Sequence, residues 1–268
     1  MNLKKIAKLF LPPVVSEFLK GFIHYRYGWH GDYSSWEEAK KLTTGYDNYE
    51  IMEKVRVALL KVKEGKAIYE RDSVLFNKIE YSWPLLSGIL LAATLDKGRL
   101  SVLDFGGSLG STYFQNRKFL NFIGDLSWNI VEQPHFVETG RLYFQNEILH
   151  FYYDVEECVK KENPNVVILS SVLQYLEKPY DILDKLLSFN FPFVIIDRTP
   201  FHYKGYDRIT IQRVPPRIYN ASYPCWIFDY EKSLNFFSER NYKLIEEFDA
   251  IDGKARDIIF KGFIWNRK

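Results

Sequence analysis

The chain has 268 residues, of which 47% are hydrophobic and 26% are charged. This balance and length indicate one or two globular domains with a full core, and they exclude a disordered, collagen-like or coiled-coil chain. The 36 Lys and Arg residues nearly balance the 34 Asp and Glu residues, and a net charge of +2 is not that of a general nucleic-acid binder.

The first 25 residues predict one or two short amphipathic segments. Apolar residues recur there at helical spacing beside Lys4, Lys5 and Lys8. This pattern fits a helix packed on the body of the protein, or a peripheral contact of residues 1–22 with a membrane surface or a partner. Because no transmembrane or export signal is visible, we expect a cytoplasmic protein, either free or peripheral to the inner face of the membrane.

Between residues 34 and 95 the spacing of apolar residues is helical. Pro84 fits the first turn of the last helix in this region. The sequence therefore predicts an N-terminal helical extension or cap, residues 1–95, followed by a second domain, residues 96–268.

Beyond residue 98 short buried runs rich in Val and Ile alternate with helical segments. Such continuous apolar strands are typical of a parallel sheet that is covered on both faces. Strands are predicted at 99–105, 128–132, 165–170 and 193–197, and helices at 155–161, 179–187 and 230–239. Residues 242–250 and 256–264 predict a hairpin that turns at Ile251-Asp252-Gly253. The predicted fold class is thus α/β, a doubly wound sheet that closes in an antiparallel pair.

The strongest functional signal is the sequence VLDFGGSLGS at residues 102–111. A buried strand ends at Asp104, and Gly106, Gly107 and Gly110 then open a helix. Glycines there let the backbone approach a ligand closely, and the helix N-terminus offers free N–H groups. Glu132 ends the next strand, where a carboxylate can accept hydrogen bonds from both ribose hydroxyls. Together these features predict a nucleoside-containing cofactor, whereas the glycines alone also fit a sharp structural turn.

The loop resembles motif I of the class I S-adenosylmethionine-dependent methyltransferases, Asp/Glu-x-Gly-x-Gly-x-Gly, although Ser108 stands where the middle glycine is usual. The segments HGDYSSWEEA, TTGYDNY, YERDS, VEQPHFVETG, SSVLQYLEKP, IIDRTPF and ASYPCW resemble a methyltransferase family found among bacterial O-antigen, capsule and other surface-polysaccharide genes. This resemblance covers nearly the whole chain from about residue 28. It implies a Rossmann-like class I methyltransferase sheet and S-adenosylmethionine as the cofactor. The implied cofactor contacts are Asp104, Gly106, Gly107, Ser108, Gly110, Glu132, Gln133, Asp154 and Ser171, with Asp154 near the adenine amino group.

Chemistry on such a sheet lies at the carboxyl ends of the strands, and an oxygen acceptor needs a nearby base to take its proton. Because the apolar run of the fifth strand ends at Asp197, residues 197–202 are predicted to form a loop that faces the transferable methyl group. Each candidate also has a structural alternative, such as an ion pair between the cap and the core. The candidate bases are Asp197, His202 and Tyr175, and the candidate substrate contacts are Arg71, Tyr113, Gln115, Gln174 and Arg198.

The expected function is a methyltransferase that acts on a hydroxyl or a phosphate-type oxygen of a sugar or an activated surface-polysaccharide precursor. A nicotinamide-dependent sugar oxidoreductase is an alternative, disfavoured by the glycine spacing and the terminal hairpin. A non-catalytic scaffold with this fold is a second alternative, disfavoured by the intact glycine loop and Glu132. No metal is expected, because Cys158 and Cys225 form no CxxC pair and the histidines show no ligand spacing.

Overall fold

The structure, a computed structural model, describes residues 27–45, 49–216, 218 and 221–268. The amphipathic segments predicted in the first 25 residues lie outside these ranges. The helices are α1 (Trp36–Lys41), α2 (Tyr49–Lys63), α3 (Trp83–Leu95), α4 (Ser111–Leu120), α5 (Pro134–Tyr143), α6 (Val155–Glu162), α7 (Pro179–Ser188) and α8 (Tyr230–Ser238). The strands are β1 (Gly28–Tyr33), β2 (Tyr69–Arg71), β3 (Val74–Phe76), β4 (Arg99–Phe105), β5 (Asp125–Val131), β6 (Leu149–Tyr152), β7 (Val166–Ser170), β8 (Phe193–His202), β9 (Arg208–Arg213), β10 (Ser222–Asp229), β11 (Tyr242–Ala255) and β12 (Ile258–Arg267). Among the described residues, no helix combines the length and the apolar character that a membrane span requires.

The described residues divide into two compact units, one made of those between 27 and 45 and between 209 and 225, and the other of those between 49 and 208 and between 226 and 268. In the smaller unit β1 pairs antiparallel with β9, and Trp29 lies opposite Gln212. The division of the chain at residue 95 stays a prediction, and helices α2 and α3 belong to the larger unit.

The larger unit is built on a mostly parallel sheet. Its strands follow the order β6-β5-β4-β7-β8, and the antiparallel pair β12-β11 extends the sheet beyond β8. The parallel register puts Phe105 beside Val131 and Ser170 beside Asp197, so these strands have their carboxyl ends at one edge. The predicted fold class, a Rossmann-like α/β sheet with a closing antiparallel hairpin, is confirmed.

Helices cover both faces of this sheet, which explains why its strands are continuous apolar runs. One core contains side chains of α2, α3, α4 and α5, with Ile89 and Trp128 fully buried. The other contains side chains of α6, α7 and α8, with Phe237 stacked on Trp265 at 4.8 Å. Each such large side chain contributes about 1.5–3 kcal/mol of burial free energy, so the two cores fix the strand ends firmly.

Strand β8 extends beyond its predicted end at Asp197. It runs to His202, because β12 pairs with it on one side and the end of β10 pairs with it on the other. Asp197 and Arg198 together lie opposite Gly262, which makes a β-bulge with Arg198 at φ 53°. The prediction of a loop over 197–202 is therefore wrong, and a bulge inside a strand redirects the chain instead.

Two hairpins also differ from the sequence prediction. The short β2–β3 hairpin lies within the region predicted as helical. The terminal hairpin turns at residues 256 and 257 rather than at 251–253, because Ala255 still pairs with Ile258. Gly253, with φ 72°, instead lies in an irregular part of β11.

Candidate functional site

A glycine loop, defined here as residues 106–110, joins β4 to α4. Gly106 at φ 70° and Gly110 at φ 101° have left-handed backbones that glycine adopts without strain. Ser108 is left-handed too, at φ 55°, which costs a residue with a side chain about 1–2 kcal/mol. A Cβ on Gly106 would lie 2.4 Å from Val172 Cγ2, so this side of the loop has room for backbone only.

Asp104 supports the loop from beneath. Its carboxyl accepts a hydrogen bond of 3.0 Å from Trp128 Nε1, and a Cβ on Gly107 would lie 2.5 Å from the carboxyl carbon. Only 1% of Asp104 is exposed, and burial raises its pKa to about 7. This packing therefore requires a glycine at position 107, and Asp104 supports the loop rather than facing outward from it.

Glu132 lies directly after β5 and is tied to the same loop. Its carboxylate accepts the backbone N–H of Gln133 at 2.7 Å and also a backbone hydrogen bond from Ser108. Burial outweighs these hydrogen bonds and raises the pKa of Glu132 to about 7. The two predicted cofactor elements, the glycines and the strand-end acid, are thus held together.

The segment after β7 connects the glycine loop to β8. Val172 packs against Gly106, and the backbone N–H of Ser171 donates to the Asp197 carbonyl at 3.0 Å. Ser171 has φ 57°, and its hydroxyl accepts a hydrogen bond of 3.1 Å from Gln174 Nε2. These contacts bring Ser171 and Asp197 to the edge of the sheet that carries the glycine loop.

Asp197 is 1% exposed, and its Oδ1 atom has no hydrogen-bond partner among the described residues. Burial raises its pKa to about 7, although the Arg198 charge and the Ser170 hydroxyl oppose this shift. Oδ1 is itself buried, and such an unpartnered carboxyl oxygen can accept a proton from a hydroxyl once an acceptor molecule reaches it.

Arg198 is engaged by carboxylates of its own chain. Its guanidinium binds Asp252 at 2.8 Å and Asp72 at 2.8 Å. The charges of these two acids raise the pKa of Arg198 although burial opposes them. The predicted role of Arg198 as a substrate contact stays a prediction, and its charge is already balanced within the protein.

Sequence analysis missed Glu70, whose carboxylate is 1% exposed and lies in β2. Oε2 accepts the Ser111 hydroxyl at 2.6 Å, and Oε1 accepts the backbone N–H of Ser73 at 2.6 Å. Burial raises the pKa of Glu70 to about 7. A polar two-residue turn at Asp72-Ser73 is a sequence signal for a hairpin. It went unused because the whole region was predicted to be helical.

Together these contacts form a ring at the carboxyl edge of the sheet, which we call the contact ring. It passes from the glycine loop through the segment after β7 and the β8 bulge to the β2–β3 hairpin, and from there back to α4. Its links are Gly106–Val172, Ser171–Asp197, Arg198–Asp72 and Glu70–Ser111.

Three predicted substrate contacts are buried and in contact with other residues of the protein. Tyr113 is 6% exposed and packs near Trp128, with ring centroids 5.9 Å apart. Gln115 donates to the Tyr69 hydroxyl at 3.1 Å, and Gln174 donates to the Arg198 carbonyl at 3.2 Å. Their amides therefore hold elements of the fold, which sequence patterns do not distinguish from a ligand contact.

The remaining predicted residues have local roles. Arg71 makes an ion pair with Glu80 at 3.3 Å. The exposed Asp154 caps α6 by accepting the Glu157 N–H at 2.7 Å. Tyr175 is half-buried at the end of the turn after β7. Their predicted contacts with ligands stay predictions.

His202 lies at the end of β8, 1% exposed. Burial lowers its pKa, and the charges of Arg208 and Lys204 lower it further. Its ring lies 5.8 Å from that of Tyr206. These neighbours all follow β8, so the interactions of His202 lie outside the contact ring, and its predicted role as the base stays a prediction.

The sequence matches no protein-family model and no curated protein. It is similar in structure to magnesium protoporphyrin IX methyltransferase from Synechocystis PCC 6803 with bound S-adenosylmethionine, at 13% identity, 69% of this chain, 79% of that chain and a TM-score of 0.44. It is also similar to the N-terminal domain of EvdMO1 in the presence of S-adenosylhomocysteine and D-fucose, at 10% identity, 83% and 97% coverage and a TM-score of 0.47. A third similar structure is 1,6-didemethyltoxoflavin-N1-methyltransferase from Burkholderia thailandensis, at 12% identity, 90% and 94% coverage and a TM-score of 0.43. Each of these three TM-scores is below 0.5.

Proposed function

We propose that this protein is an S-adenosylmethionine-dependent methyltransferase that acts on a hydroxyl oxygen. The observation that carries the proposal is the tie between the glycine loop and Glu132, at adjacent strand ends of a sheet that closes with an antiparallel pair. Gly106 and Gly107 have no room for a Cβ, so a cofactor here meets backbone, while the Glu132 carboxylate suits ribose hydroxyls. These residues fit the cofactor.

When bound, S-adenosylmethionine supplies a methyl group that is already activated at its sulfonium. The protein then has to place the acceptor, exclude water and remove one proton. Asp197 is suited to the last task, because its free Oδ1 can accept the hydroxyl proton and its pKa near 7 matches a general base at neutral pH.

The charges near Asp197 favour a neutral acceptor over a phosphate-type oxygen. Arg198 is the cation beside Asp197, and both Asp72 and Asp252 already pair with it. A phosphate in this place would meet uncompensated carboxylate charge, whereas a hydroxyl can donate to Asp197.

We further propose that the hydroxyl belongs to a sugar, as in a surface-polysaccharide precursor. The resemblance of the sequence to methyltransferases from polysaccharide gene clusters supports this class. Tyr203 and Tyr206 follow the end of β8 and are 63% and 48% exposed, and such tyrosines suit the faces of sugar rings.

The first test is calorimetric titration of the full chain with S-adenosylmethionine, S-adenosylhomocysteine and NAD. Binding of the first two without NAD supports the proposal, and binding of NAD alone overturns it. The second test measures S-adenosylhomocysteine release with panels of sugars, sugar nucleotides and sugar phosphates.

Asp197→Asn should then lower the rate of methyl transfer about 10²–10⁴-fold, the usual contribution of a general base. Its affinity for S-adenosylhomocysteine should stay within about twofold, because the cofactor rests on the glycine loop and Glu132. Asp181→Asn, on the exposed side of α7, is the matched control and should keep the wild-type rate. Wild-type turnover by Asp197→Asn would exclude this residue as the base.

A further inference from the structure

We propose that Glu70 and Asp72 are positioning residues, and that the β2–β3 hairpin joins the glycine loop mechanically to the acceptor side at Asp197. The inference rests on the proposed function, because the state it couples is the one with cofactor bound. The proposed function gives no role to the β2–β3 hairpin, and this coupling would be its role.

At the cofactor end the hairpin is held by Glu70. Its Oε2 accepts the Ser111 hydroxyl at 2.6 Å, and Ser111 is the first residue of α4, directly after Gly110. Glu70 is buried, although no cation of the described residues lies within hydrogen-bond distance of its carboxylate. A buried carboxylate costs free energy, and this one is bonded to the helix that receives the glycine loop.

At the acceptor end the hairpin is held by Asp72, which binds Arg198 Nη2 at 2.8 Å. Arg198 has φ 53° in the bulge of β8, directly after Asp197. Asp252 fixes the same guanidinium through Nε at 2.8 Å and Nη2 at 3.1 Å. The direction of the bulge, and with it the Asp197 side chain, therefore depends on two carboxylates, one of which belongs to the hairpin.

The two ends are rigidly connected. Asp72 and Ser73 have φ 51° and 66°, the left-handed pair of a tight two-residue hairpin turn. The Ser73 N–H donates to Glu70 Oε1 at 2.6 Å and closes this turn on the residue that binds Ser111. The anchors Glu70 and Asp72 are only two positions apart. Because the turn between them is tight, a shift of α4 should move Arg198 rather than bend the hairpin.

Hydrogen–deuterium exchange of the full chain with and without S-adenosylhomocysteine tests this coupling without an acceptor. We expect the ligand to slow exchange at residues 106–111, and to slow it at 69–76 and 197–202 by at least about threefold as well. Binding with protection confined to 106–111 would overturn the coupling and leave the proposed function intact. No binding of the ligand would overturn the proposed function and the coupling together.

Variants separate the two anchors. Asp72→Asn, at a turn position that Asn tolerates, should keep the protection at 69–76 and lose at least about half of it at 197–202. Glu70→Ala should lose protection at both segments, and Glu70→Gln, whose amide oxygen can still accept the Ser111 hydroxyl, should restore part of it.

The matched control is Glu64→Gln. The Glu64 side chain is 47% exposed and pairs with Lys66, outside the contact ring and the three measured segments. This variant should keep the wild-type pattern in all three segments. If Glu64→Gln lowers protection as much as Asp72→Asn, or if Glu70→Gln behaves as Glu70→Ala, the assignment of the two anchors is wrong.

Discussion

Replacement of Asp104 by Asn should change the pH dependence of folding stability. The folded chain raises the pKa of this carboxyl from 3.8 to about 7, because burial beneath Gly107 removes its water. Between these two values the folded state binds more protons than the unfolded state, so a rise in pH removes stability. The contribution is fully present below about pH 4 and is lost as the pH rises through 7.

The size of the effect follows from the two pKa values. Each pKa unit corresponds to about 1.4 kcal/mol, and the folded group is half ionised at pH 7, so the interval from pH 5 to pH 7 amounts to about 2 kcal/mol for this one group. Asp104→Asn cannot titrate, and its amide oxygen can still accept the Trp128 N–H. Its free energy of unfolding should therefore fall less steeply with pH than that of the wild type.

Urea unfolding at pH 5, 6, 7 and 8 measures this difference, because other buried acids contribute equally to both proteins. Asp125→Asn is the control, since Asp125 is exposed at the start of β5, and its curve should follow the wild type. The free energies of unfolding of Asp104→Asn and the wild type are compared as functions of pH. If the two curves stay parallel within about 0.5 kcal/mol, the raised pKa of Asp104 and the burial that causes it are refuted.

Two further predictions concern the glycine loop. Glu132→Gln should weaken S-adenosylhomocysteine binding about 10- to 100-fold in calorimetry, because a hydrogen bond to a charged group is lost. The control Glu138→Gln, at an exposed position, should keep the wild-type affinity. Equal affinities of Glu132→Gln and the wild type would exclude Glu132 from the cofactor site. Gly107→Ala should lower the free energy of unfolding by about 2–4 kcal/mol, because its Cβ would lie 2.5 Å from the Asp104 carboxyl carbon. Gly124→Ala, with no atom within 4 Å of its added Cβ, should change stability by less than about 0.5 kcal/mol in the same urea titration, and similar losses in both variants would contradict the packing argument.

The parallel sheet could be predicted because its signals are local. Strands β4, β7 and the first half of β8 are continuous apolar runs, and each is followed by a polar or glycine-rich segment. The glycine loop and Glu132 could be placed together because parallel strands end at the same edge.

The errors lie where distant pairing decides the structure. The extension of β8 past Asp197 requires β12, about 60 residues later in the chain, and no property of the segment 197–202 alone indicates it. The β2–β3 hairpin has only three residues in each strand, too few for alternation to show against a helical background. Glu70 was missed for the same reason, because its proposed role depends on a hydrogen bond with Ser111, 41 positions away in the sequence.

The candidate site contains a cluster of acidic side chains that the net charge of the chain does not indicate. The whole chain carries a net charge of +2, yet three elements bring carboxyls with pKa values near 7 to the glycine loop; Glu70 and Asp104 are buried, and Glu132 is half-buried. Glu70 bonds the residue after the loop, Asp104 lies beneath it, and Glu132 bonds its centre. S-adenosylmethionine has one net positive charge, whereas S-adenosylhomocysteine has none. If the proposed cofactor site is correct, ionised carboxyls beside the loop would stabilise the bound methyl donor more than the bound product. In the proposed site the glycines would let a nucleoside lie close to the backbone, and the acids around the loop would favour the charged cofactor over the neutral one.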